Sequence, residues 1–219
     1  MSAAGVELRQ VEIPAKGAAL PGDFRMPADA IGLVVFAHGS GSSRLSVRNR
    51  FVAESLNARG MATLLLDLLT LEEEAERANV FDIRLLATRL MDATQWAGQD
   101  PEVGQLPVGY FGASTGGAAA LCAAAELDDE IRAVVSRGGR PDLAEERLGD
   151  VTAPTLLIVG GNDWTVLELN EQAASFLNCP HELAVIPGAT HLFEEPGALE
   201  RVAELAGGWF ERHLGGAEG

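Results

Sequence analysis

The stretch Leu106–Ala125, LPVGYFGASTGGAAALCAAA, constrains this chain more than any other. Leu106 to Phe111 is an apolar run of strand character, Gly112-Ala113-Ser114-Thr115-Gly116-Gly117 interrupts it, and an Ala-rich segment of helical character follows. Such turns also occur as plain strand–helix connections, but here a strand precedes, a helix follows and glycines stand on both sides. A serine at the middle of a Gly-x-Ser-x-Gly turn needs small neighbours because the backbone is tight there. Its hydroxyl is held clear of the chain with a helix N-terminus behind it. That is how an alcohol is presented as a nucleophile.

The rest of the chain supplies a setting for such a turn. Ile31–Ala37 is apolar without alternation, as expected of a strand buried on both faces of a parallel sheet, and Ala62–Leu66, Ile131–Ser136, Thr155–Val159 and Leu183–Ile186 are further short strands. Between them lie helical segments. Val47–Arg59 carries Phe51, Val52 and Leu56; a long helix capped by Asn79 carries Ile83, Leu86, Leu90, Met91 and Ala97; Glu168–Leu177 is shorter. Pro196 is expected to start a closing helix whose Leu199, Val202, Leu205, Trp209 and Phe210 pack inward. Val6–Ile13 alternates and, across a Lys16-Gly17 turn, pairs with Ala18–Phe24 as an antiparallel edge hairpin. This order predicts a three-layer α/β fold with a mostly parallel sheet, formed as a single domain over residues 1–219. The short Arg137–Asp150 connection leaves no room for a large lid, and Gly215–Gly219 is expected to be a loose tail.

At 219 residues and 47% hydrophobic content the chain can bury one core. Its formal charge of −16 argues against nucleic acid or an anionic membrane as partner, since the mean field repels both. Lys16 is the only lysine, a bias of genome or solvent. Cys122 and Cys179 belong to no metal-like spacing, and no cofactor or metal is required. With no signal peptide and no apolar stretch long enough to span a bilayer, the expected compartment is the cytoplasm, and a homodimer remains open.

In an open parallel sheet, function belongs at the carboxyl ends of the strands. Ser40, Asp67, Ser114, Arg137, Asp163 and His191 all fall at or just past such ends. On the stretches HGSG from His38, GASTGG from Gly112, LLIVGGND from Leu156 and PGATH from Pro187, the chain resembles the α/β-hydrolases, and within them the small, lidless dienelactone hydrolase-like proteins. The likeness covers nearly the whole chain, including the order Ser, Asp, His. Dienelactone hydrolases proper carry cysteine as nucleophile, so a serine at 114 takes the lactone substrate out of the inference.

The resemblance implies a Ser114, His191 and Asp163 triad. Ser114 attacks a carbonyl, His191 takes and returns the proton, and Asp163 fixes the imidazole. Asp67 is the rival acid, with a structural role as its alternative, and His38 is expected to shape its loop. Backbone amides of Ser40 and Thr115 are the expected oxyanion donors. Arg137, Arg140 and Trp164 are candidates for substrate contact, the arginines as a positive spot for a substrate carboxylate; the competing possibility is that Arg140 pairs with Asp142 or Glu145 and that Arg137 points to solvent or to the neighbouring strand connection. The expectation is a serine-dependent acyl hydrolase acting on a small ester, lactone or thioester. An acyltransferase or peptidase on the same triad, or a non-catalytic ligand-binding relative, is the alternative.

Overall fold

The structure, a computed structural model, describes residues 6–215, so of the tail at 215–219 only Gly215 lies within it. Its centre is an eight-stranded sheet in the order β1-β2-β4-β3-β5-β6-β7-β8. The strands are β1 (Glu7–Ala15), β2 (Ala18–Met26), β3 (Gly32–Ala37), β4 (Met61–Leu66), β5 (Val108–Ala113), β6 (Ile131–Arg137), β7 (Thr155–Gly160) and β8 (His181–Ile186). β1 and β2 form the expected hairpin and β2 joins β4 antiparallel; every other pairing is parallel.

The non-alternating apolar runs are explained by two buried faces. Leu33, Val35, Leu64, Tyr110, Val134 and Leu157 belong to one core cluster, with residues of α4 (Ile83–Ala97) and α5 (Thr115–Leu127). Their neighbours Val34, Phe36, Leu65, Phe111, Val135, Leu156 and Ile158 belong to the other, with residues of α1 (Val47–Ala58) and α7 (Ala198–Leu214). One strand thus serves two layers, which only a continuous apolar sequence can do. Tyr110 is fully buried and its hydroxyl bonds Thr94 Oγ1 at 2.6 Å, while burial pushes the phenol above its usual range.

Several boundaries differ from the sequence reading. The long helix is capped by Asp82, whose side chain accepts from Leu85 N, and not by Asn79, whose amide donates to the Glu73 carbonyl. Residues before it fold as α2 (Leu71–Ala75), opened by a Thr70–Glu73 capping box, and a single turn α3 (Arg77–Val80). α6 runs over Trp164–Ala174, starting directly after Asp163, and the closing helix begins at Ala198 after a left-handed Gly197 instead of at Pro196. A 3-10 stretch, Pro141–Asp150, spans the β6–β7 connection, and no large lid is evident among the described residues. None of the helices is long and apolar enough to cross a membrane, among the described residues.

Helix α5 lies so close to the sheet that a Cβ on Gly116 would stand 2.1 Å from the Ala37 carbonyl oxygen and 2.6 Å from that of His38. Both are backbone atoms and cannot swing aside. Gly116→Ala is therefore expected to cost at least about 3 kcal/mol, read as a lowered urea midpoint. Gly208→Ala, in α7 with open space around its Cα, is expected to stabilise by up to about 1 kcal/mol through helix propensity.

Candidate active site

Ser114 sits where β5 turns into α5, with φ 53° and ψ −122°, a backbone conformation that L residues seldom adopt. The strain is held by its neighbours. Ser114 N donates to the Arg137 carbonyl at 3.2 Å, and its own carbonyl accepts from Gly117 N at 3.0 Å and Arg140 N at 3.1 Å. Gly39, at the end of β3, makes room, since a Cβ there would be 2.9 Å from Ser114 Cβ. Ser114 is the N-cap residue of α5, yet its side chain makes no cap hydrogen bond. The hydroxyl is left free for chemistry.

Asp163 has the same position at the start of α6 and likewise does not cap it. Its Oδ2 instead lies 2.6 Å from His191 Nδ1. The side chains are 15% and 40% exposed, so Asp163 is sheltered and His191 opens to solvent. The two loops that carry them are stitched together by Gly161 N to the Ile186 carbonyl, Asn162 N to the Ala189 carbonyl, and Asn162 Nδ2 to the Gly188 carbonyl, at 2.8, 2.9 and 2.9 Å. Such a pairing fixes the tautomer that leaves His191 Nε2 as a proton acceptor.

The remaining residues sort by their contacts. His38 is a structural group: Nε2 accepts from Leu68 N and Nδ1 donates to the Gly39 carbonyl, both at 3.0 Å. Asp67 accepts from Arg44 N at 2.7 Å and pairs with the Arg44 guanidinium, bracing the loop after β3. Ser40 N, expected to face an oxyanion, donates to Thr115 Oγ1 at 2.9 Å. The Thr115 N–H lies in the first turn of α5, where amides have no intrahelical acceptor. Arg140 is engaged by Asp142 through two hydrogen bonds of 2.8 and 2.7 Å, as its competing reading had it. Arg137 is only 8% exposed and lies under the His191 loop, away from open surface. Trp164, at 76% exposure, and Leu192 flank Asp163 and His191 on the solvent side.

The sequence reading missed the wall beside the site. A depression of about 560 Å³ is lined by Ser40, Gly41, Leu71, Ala75, Val80 and Phe81, with Glu74 and Arg77. Its apolar members recur within an acidic segment, and that was the available signal. Among the described residues no group of three or more His, Cys, Asp or Glu could hold a metal ion.

A model of the dienelactone hydrolase family matches residues 26–212. The crystal structure of a dienelactone hydrolase from Anabaena variabilis superposes with a TM-score of 0.93 at 54% identity, covering 95% of this chain and 99% of that one. Est1E from Butyrivibrio proteoclasticus is similar in fold alone, with a TM-score of 0.81 and 19% identity over 94% of this chain and 98% of that one. Two Mycobacterium tuberculosis proteins that carry a provisional phosphoribosyl transferase name are 59% identical over 217 residues, 98% of this chain. The chain spans about half, 49%, of the length of those curated relatives.

The Ser40–Thr115 bond can be tested alone. Thr115→Val keeps the side-chain shape but removes the acceptor, and is expected to cost about 1 kcal/mol and to expose the Ser40 amide to hydrogen exchange. Thr115→Ser should retain both properties, measured by denaturation and amide exchange.

Proposed function

Because this chain belongs to the dienelactone hydrolase family, we propose that it hydrolyses a small ester through an acyl-enzyme on Ser114. The observation that carries this reading is that two helix-start residues forgo capping, Ser114 in a strained turn and Asp163 bonded at 2.6 Å to His191. His191 accepts the Ser114 proton as the hydroxyl attacks the carbonyl carbon, and Asp163 stabilises the imidazolium that results. The collapsing intermediate expels the alcohol, which takes that proton. Water, deprotonated by His191, then attacks the ester carbon and frees Ser114. The amide of Thr115 supports the developing oxyanion from a helix N-terminus.

The half-exposed base is open to water, the acceptor that hydrolysis requires. The depression beside Ser40 offers an apolar wall for one side of the ester. The phosphoribosyl transferase name belongs to proteins of which this chain matches half, and the residues of that half are those of the hydrolase family.

A panel of chromogenic esters of varied acyl length tests the reading. Ser114→Ala and His191→Ala are each expected to lower kcat by at least about 1,000-fold with the fold intact. A fluorophosphonate probe should add once, at Ser114. Normal turnover in Ser114→Ala, or labelling elsewhere in an active protein, would sink it.

A further inference from the structure

Arg137 is a buried cation with no carboxylate partner among the described residues. Its Nε and Nη1 have no hydrogen-bond partner among the described residues, and its Nη2 reaches only Asn49 Oδ1, at 3.5 Å. Burial, and then the nearby Arg48, push its pKa down to about 10, so it remains charged at neutral pH. A buried, unpaired charge is costly, and an apolar side chain would fill this space more cheaply. Its surroundings suggest what the charge does there.

The guanidinium carbon lies 5.8 Å from the centre of the Phe193 ring, within cation–π range. Phe193 is two residues beyond His191, is 2% exposed, and holds a φ of 54° that a bulky residue adopts only when its surroundings enforce it. Next in sequence, Gly138 touches the same loop: a Cβ there would be 3.4 Å from the His191 carbonyl oxygen and 3.5 Å from His191 Cε1. At the other end of the residue, the Arg137 carbonyl accepts the Ser114 amide. Arg48 continues the contact through Glu194, at 3.4 Å.

We propose that Arg137 is a positioning residue that ties the turn bearing Ser114 to the loop bearing His191, its backbone holding the nucleophile and its guanidinium holding Phe193 so that the base stays in reach. This rests on the triad reading above. The side chain acts through Phe193 and does not touch the substrate.

The test uses a neutral p-nitrophenyl ester and its anionic counterpart with the full chain. Arg137→Met should lower kcat at least tenfold with KM within twofold on both esters, and slow fluorophosphonate labelling in step. Arg137→Lys, which keeps the cation, should recover at least a third of the lost activity. A folded Arg137→Met protein with kcat within twofold of the parent overturns the proposal, as does a lysine variant no better than the methionine one. A KM rise confined to the anionic ester also overturns it, because that would put Arg137 on the substrate. If Arg137→Met does not fold, Phe193→Leu removes the contact from the other side: reduced kcat with unchanged KM supports the proposal, and unchanged kcat overturns it. Ser114→Ala in the same assay separates the two readings: parental turnover there defeats the triad and the tether with it, whereas a silent Ser114→Ala beside an unimpaired Arg137→Met defeats the tether alone.

Discussion

Where α5 leaves β5, its first turn presses on the carbonyl ends of β3, and at Gly116 the contact has no room for a side chain. That approach sets the direction of α5 and forces Ser114 into its left-handed conformation, because the chain must reverse within a few residues. The same closeness brings Ser40 N onto Thr115 Oγ1 and Gly39 against Ser114. The loop after β3, Ser114 and the helix N-terminus are therefore parts of a single packed contact. Asp67 and Arg44 brace its outer side and His38 its inner side.

Three other helix starts, those of α1, α2 and α4, follow the usual chemistry. Ser46, Thr70 and Asp82 each accept a backbone N–H from the first turn of α1, α2 and α4. Ser114 and Asp163 are residues of the same types at the same kind of position and do not. Each forgone cap costs about 1 kcal/mol of helix stability. α5 and α6 tolerate the loss because both pack on the sheet along their length. A capping residue that leaves its helix uncapped marks a side chain committed to something else.

Much of this was legible in the chain. The continuous apolar runs specified buried parallel strands, and the glycines around Ser114 specified the tight turn, because each signal is local. The start of α6 was not legible: Asp163 and Trp164 lie next to Gly160-Gly161-Asn162, and the composition read as loop until Glu168. Asn79 looked a suitable cap, but Asp82, three residues on, took that role once Thr70 and Glu73 had closed a separate turn. For Arg137 the order of elements implied a place at the right sheet edge but not the direction of the side chain, which Phe193 and Asn49 determine from distant parts of the chain. Side-chain direction at a strand end depends on which helix covers that face, and no local pattern encodes it.

His191 follows β8, one of the two edge strands of the sheet. β8 pairs with β7 alone, most of its residues are at least partly exposed, and its outer side is held by surface contacts such as Arg212–Glu182. β5, which carries Ser114, is buried between β3 and β6. Regions with few buried contacts open at lower free energy than the core. Release of β8 and the loop beyond it would remove His191 while Ser114 kept its strained turn. On the triad proposed above, loss of His191 and loss of fold would then be two separate events, the first reached at a lower free energy than global unfolding.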